Sequence, residues 1–208
     1  MKRWLIVCLL FTASAAAHPA AAAHPARTIL VFGDSISAGY GIPVGQGWVA
    51  LLQAKLDRLG YGYHVVNASV SGETPAGGLD RLPRALALHR PRIAILELGG
   101  NDGLRALPVQ EMHANLATMV RLARTAGASV LLIGMRMPPN YGPEYTARFQ
   151  RAFVEVARDY RVAFVPFFLQ GIATRPALMQ ADDLHPNTQG QALLLANAWR
   201  ALEPLLRK

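Results

Sequence analysis

The sequence is almost free of cysteine, because Cys8 is the only one among 208 residues. A single thiol cannot form an internal disulfide, and it cannot supply a cysteine zinc site or a redox pair. The sequence also has no cluster of metal-ligand motifs. We therefore expect chemistry from hydroxyl, imidazole, amide and carboxylate groups, with no metal and no other cofactor.

Apolar runs long enough to span a bilayer, which takes about 20 residues, are missing as well. The chain opens with Lys2 and Arg3, continues with a short apolar run at residues 4–11, and then becomes rich in alanine. This order predicts a secretory signal peptide at residues 1–23, cleaved after Ala17 or Ala23. We expect an exported protein, periplasmic or secreted, that is soluble once the peptide is removed.

Acidic residues are scarce, with 13 of them against 21 lysines and arginines and a net charge of +8. Without Lys2 and Arg3, 19 basic residues face 13 acidic ones, which leaves +6. The arginines are scattered, with no basic run and no interleaved aromatics, so we expect a solvated basic surface and no nucleic-acid partner. The alternative is that the basic surface binds an anionic lipid surface. No obligate protein partner is expected.

Five short apolar runs alternate with helical patterns along residues 24–208, which we expect to form a single domain. The predicted strands are residues 28–32, 64–66, 93–98, 130–133 and 162–165. The predicted helices are residues 48–59, 79–88, 109–126, 145–160 and 188–206. Strict alternation predicts an α/β protein, a three-layer α/β/α sandwich with a five-stranded parallel sheet and right-handed crossovers.

Polar, glycine-bearing segments follow these strands, and ligands bind at the carboxyl edge of such sheets. Ser35 comes directly after the first strand, where a turn into a helix would expose its hydroxyl as a nucleophile. The alternative is a serine that only caps the helix. Asp182 can reach the Nδ1 atom of His185 and leave Nε2 free to act as a base. The alternative there is a loop that merely begins the last helix.

Acyl transfer also needs donors for the developing oxyanion. The backbone amides of Ser35 and Gly72 and the side-chain amide of Asn101 form the natural set, although glycine and asparagine are also common in turns. Glu97, alone in an apolar run, is expected to be a buried structural carboxylate behind the site. Asp102 is expected to brace the loop of Asn101.

The four segments together resemble the SGNH, or GDSL-like, hydrolases, in the right order across the whole chain after residue 23. The segments are Gly33-Asp34-Ser35-Ile36-Ser37, Ser71-Gly72-Glu73-Thr74, Gly99-Gly100-Asn101-Asp102 and Asp182-x-x-His185-Pro186. The resemblance implies the flavodoxin-like fold of that family, the triad Ser35, His185 and Asp182, and an oxyanion hole from Ser35, Gly72 and Asn101. It also suggests substrate contacts in two loops, at Gly103, Leu104, Met137, Pro138 and Tyr141.

Within that family the chain is most similar to the multifunctional acyl-CoA thioesterase and lysophospholipase type. This implies a serine hydrolase of small-molecule acyl esters and thioesters, with arylesterase activity. Two alternatives remain at this point. One is a carbohydrate-ester deacetylase on the same fold, which the apolar segments 42–44 and 137–139 disfavour. The other is a non-catalytic binding module.

Overall fold

A computed structural model describes residues 27–206 and contains one parallel β-sheet of five strands. The strands run in the order β2-β1-β3-β4-β5, and all four pairings are parallel. Apolar side chains fill both faces of the central strand β3, all five residues of which are buried. The strands are β1 (Arg27–Gly33), β2 (Tyr63–Asn67), β3 (Ile93–Glu97), β4 (Ser129–Ile133) and β5 (Ala163–Val165).

Helices cover both faces of this sheet and make three layers. The helices are α1 (Ser35–Ala38), α2 (Trp48–Leu59), α3 (Pro75–His89), α4 (Gly100–Leu104), α5 (Val109–Thr125), α6 (Pro143–Tyr160) and α7 (Gln191–Leu202). One layer is α3, α5 and α6 packed side by side, and the other is α2 packed on α7. The predicted α/β/α sandwich with five parallel strands is confirmed.

Several helix boundaries differ from the prediction, most of all those of α3 and of the last helix. Helix α3 begins at Pro75, four residues before the predicted start, because the Thr74 hydroxyl accepts the Gly77 amide as an N-cap. The last predicted helix is divided, since a 3-10 turn at Thr188–Gly190 precedes α7 and another at Glu203–Leu205 follows it. The short helices α1 and α4 were not predicted, because four or five residues carry too little periodicity to detect.

The sheet brings the polar segments to one edge, since the chain leaves every strand there. Helix α1 follows β1, α4 follows β3, and the segment carrying His185 follows β5. No helix within residues 27–206 combines the length and the apolar character of a membrane span. The predicted signal peptide, residues 1–23, lies outside the described residues.

Candidate active site

The serine stands on a tight turn from β1 into α1. Asp34 follows the last residue of β1 and caps the helix, its Oδ1 accepting the Ile36 amide at 3.0 Å. Ser35 is thereby the first helical residue. A side chain at Gly33 could not be accommodated, because its Cβ would come within 2.6 Å of Glu97 Oε2. Glycine at this position leaves room for the buried hydrogen bond between Ser37 and Glu97 directly behind Ser35.

The histidine is held by its own loop. Asp182 Oδ1 accepts the backbone amides of Leu184 and His185, each at 3.0 Å, and Oδ2 lies 2.7 Å from His185 Nδ1. These bonds, the His185 amide first, lower the pKa of Asp182 to about 2. Because an ionised carboxylate only accepts, Nδ1 carries the ring proton and Nε2 is left as the acceptor. The ring of Tyr40 packs against the imidazole with centroids 4.7 Å apart.

Ser35 and His185 meet across 150 residues of sequence. Ser35 Oγ lies 2.9 Å from His185 Nε2, so the hydroxyl can donate to the free ring nitrogen. Ser35, His185 and Asp182 therefore form one hydrogen-bonded chain, from hydroxyl to imidazole to carboxylate. This arrangement is what general-base activation of a serine requires.

The three expected oxyanion donors differ in whether their N–H groups already donate hydrogen bonds within the protein. Among the described residues, the Ser35 and Gly72 amides donate to no protein acceptor. Gly72 has φ +79°, a conformation that favours glycine. The Asn101 amide nitrogen, by contrast, donates to the Glu73 carbonyl at 3.0 Å and to Asp34 Oδ2 at 3.3 Å. The amides of Ser35 and Gly72 can therefore donate to an oxyanion directly. Asn101 would first have to break or share its longer bond, the one to Asp34.

Three buried carboxyl groups lie behind this edge of the sheet. Glu97 is fully buried and accepts the Ser37 hydroxyl at 2.6 Å, while its Oε1 has no protein partner. Burial, together with the negative charge of Asp34, raises the pKa of Glu97 well above its usual range. Burial also raises the pKa of Asp34 to about 6. Asp102 is buried as well, which raises its pKa to about 6, and its Oδ2 lacks a protein partner.

A pocket of about 350 Å³ opens in front of Ser35 and His185. Three of the expected substrate contacts, Leu104, Met137 and Pro138, line it together with Gly72 and Asn101. The other two do not line it. Gly103 is buried against Met137 and Phe149, and the Tyr141 hydroxyl donates to the Leu104 carbonyl at 2.9 Å. Both therefore shape the pocket from behind.

Several lining residues were not identified from the sequence. Most are apolar side chains from loops, and one is an arginine; they are Tyr40, Met135, Arg136, Phe167, Leu169, Ala173, Met179 and Leu184. Only Tyr40 and Leu184 had a local signal, through their closeness to Ser35 and His185 in the sequence. Within residues 27–206, no group of three His, Cys, Asp or Glu side chains is arranged to hold a metal ion.

The chain is similar to known esterases and thioesterases over most of its length. Residues 31–193 match the GDSL-like Lipase/Acylhydrolase family. The chain is 52% identical to Esterase TesA of Pseudomonas aeruginosa over 87% of this chain and 90% of that protein. It is 39% identical to Thioesterase 1/protease 1/lysophospholipase L1 of Escherichia coli K12, over 88% of this chain and 87% of that protein. A crystal structure of TesA superimposes with a TM-score of 0.85 at 52% identity, covering 86% of this chain and 100% of that one.

Proposed function

The chain belongs to the GDSL-like lipase/acylhydrolase family, and we propose that it hydrolyses acyl esters and thioesters through an acyl-enzyme on Ser35. The observation that carries this proposal is the continuous hydrogen-bonded chain from Ser35 through His185 to Asp182 at the mouth of an apolar pocket. A capping serine would need no such partner.

In the first half of the reaction, His185 Nε2 takes the proton of the Ser35 hydroxyl as the oxygen attacks the acyl carbon. The imidazolium then donates that proton to the departing alcohol or thiol, which leaves an ester on Ser35. Asp182 holds the ring in the correct tautomer and stabilises its positive charge without itself taking the proton. In the second half, His185 activates water, which releases the acid and restores Ser35.

The tetrahedral intermediate carries a negative oxygen, for which the free amides of Ser35 and Gly72 are the first donors. Asn101 is the third, and it can turn from the 3.3 Å bond with Asp34 toward the oxyanion while it keeps its bond to the Glu73 carbonyl. Its position at the pocket wall supports this role.

The pocket lining supports an acyl substrate. Eight of the residues that line it are methionine, leucine, proline or phenylalanine, and such apolar side chains suit an aliphatic chain better than a hydrated sugar. This favours an acyl esterase over a carbohydrate-ester deacetylase, and the assembled triad speaks against a non-catalytic module. From the sequence we also propose that residues 1–23 direct export of the protein. The basic surface is proposed to contact anionic lipid.

Kinetics with p-nitrophenyl octanoate test the proposal. We expect His185→Ala to lower kcat by roughly 10⁴-fold or more, because serine then has no base. His113→Ala is the matched control, since His113 lies on α5 away from Ser35, and it should keep kcat within about twofold. Near-normal turnover by the His185 variant would refute the proposed mechanism.

A further inference from the structure

A second cleft adjoins the active-site pocket. It measures about 430 Å³ and lies between the segment after β5 and helix α7. Arg136 and Phe167 line both the cleft and the pocket of Ser35, so the two spaces share a wall. Arg200 and Asn197, from α7, form the far side. We call this cleft the arginine groove.

The groove carries positive charge that no acidic side chain in the described part of the chain neutralises. None of its lining residues is acidic. Within residues 27–206, the side chains of Arg136 and Arg200 form no ion pair and no hydrogen bond. The Arg136 guanidinium lies over the Phe167 ring, 5.2 Å from its centroid, which holds the group in place and leaves its N–H groups free. The side-chain amide of Asn197, by contrast, donates hydrogen bonds to the carbonyls of Phe168 and Gln170.

The groove opens from the same pocket that holds the catalytic residues. His185 must reach the departing atom to protonate it, and His185 lines the pocket together with Phe167 and Arg136. Backbone bonds hold the segment that carries Phe167 against the one that carries Arg136, since Gly134 donates to Val165 at 2.8 Å and accepts from Phe168 at 2.9 Å. A leaving group too long for the pocket can therefore extend past Phe167 and Arg136 into the groove.

We propose that the arginine groove binds a phosphate group on the alcohol or thiol that leaves Ser35, with Arg136 as the first contact and Arg200 as the second. This inference rests on the proposed acyl transfer at Ser35. A planar guanidinium binds phosphate oxygens through two parallel hydrogen bonds, and two unpaired guanidiniums in one groove suit a phosphate diester or pyrophosphate. Two kinds of leaving group share this chemistry, coenzyme A and the glycerophosphate head of a lysophospholipid.

Paired substrates separate the phosphate from the acyl group. Octanoyl-coenzyme A is compared with octanoyl-N-acetylcysteamine, which has the same thioester without phosphate. 1-Octanoyl-lysophosphatidylcholine is compared with 1-octanoylglycerol at concentrations below micelle formation. For each pair, the measured quantity is the ratio of kcat/KM for the phosphorylated substrate to that for its neutral partner. The neutral substrates also report on Ser35 chemistry by itself.

We expect Arg136→Ala to lower this preference by about tenfold and Arg200→Ala by about threefold, in at least one substrate pair. Arg136→Lys should keep an intermediate preference, because the charge stays while the two-point contact is lost. The control is Arg58→Ala, which removes the same charge from an exposed position in the last turn of α2, and it should leave the preference unchanged. The pair that responds identifies the source of the phosphate.

An unchanged preference in both pairs for Arg136→Ala would overturn the inference while the proposed function stands. An equal loss with Arg58→Ala would also overturn it, because net charge and not the groove would then attract the substrate. If the wild-type enzyme hydrolyses none of the four substrates, the proposed function itself fails.

Discussion

Removing the buried carboxyl of Asp34 should make folding stability less sensitive to pH. Asp34 is only 3% exposed, and burial raises its pKa from 3.8 to about 6. A carboxyl group whose pKa is higher in the folded state binds its proton more tightly there, so its contribution to stability is lost as pH rises through that range. The difference between 3.8 and about 6 corresponds to about 3 kcal/mol of unfolding free energy. Most of that loss falls between pH 4.5 and 7.5.

Urea unfolding of the wild type and of Asp34→Asn at half-unit steps from pH 4.5 to 7.5 measures this. Asparagine can still cap α1 with its oxygen but cannot ionise. Between pH 4.5 and 7.5, the unfolding free energy of the wild type should therefore fall by about 2 kcal/mol more than that of the variant. The bond from Asn101 is lost at every pH, so the slope is compared and not the absolute value. Asp80→Asn, at an exposed position on α3, is the control. Parallel curves for the wild type and Asp34→Asn would refute the argument.

Three further predictions concern catalysis. Asn101→Ala should lower kcat by roughly 10²- to 10³-fold, about 2.7 to 4 kcal/mol, with little change in KM; single-turnover rates per folded enzyme would instead stay normal if Asn101 only shapes its turn. Asp182→Asn should reduce kcat less than His185→Ala does, because the carboxylate orients the base without taking its proton; equal losses in steady-state assays would contradict that. In Gly103→Ala the new Cβ would meet Met137 Sδ and push this side chain into the pocket. KM should then rise roughly 3- to 10-fold for octanoyl esters and less for acetyl esters, whereas an equal change at both lengths would argue against it.

Sequence patterns were sufficient for the sheet, because β1, β3 and β4 are short apolar runs that burial on both faces explains, and β2 and β5 repeat the same alternation with helices. They failed at the start of α3, where Pro75, Gly77 and Gly78 weaken the helical pattern. Gly78 is needed there because a Cβ would come within 2.9 Å of Leu98 and 3.2 Å of Phe32. Close packing between distant segments thus selected a poor helix former, and no local pattern records that.

The site was predictable where its groups lie in short polar motifs, as Ser35, Asp182 and His185 do. The hydrogen bond from Asn101 to Asp34 was not, because it depends on side-chain angles across two strand ends. Arg136 and Phe167 gave no signal either. An arginine after a strand and an aromatic residue in a loop are common, and their meaning appears only when the fold brings them together at the pocket.

The central claim is that Ser35 is a nucleophile activated by His185, and covalent capture tests it most directly. The purified protein is incubated with a fluorophosphonate, its intact mass is measured, and the modified peptide is mapped. We expect one phosphonate per chain, on Ser35, with labelling abolished in Ser35→Ala and retained in Ser71→Ala, whose hydroxyl lines the same pocket without an imidazole partner. Labelling that persists in Ser35→Ala, or an unlabelled wild-type enzyme that still turns over ester, would contradict the account.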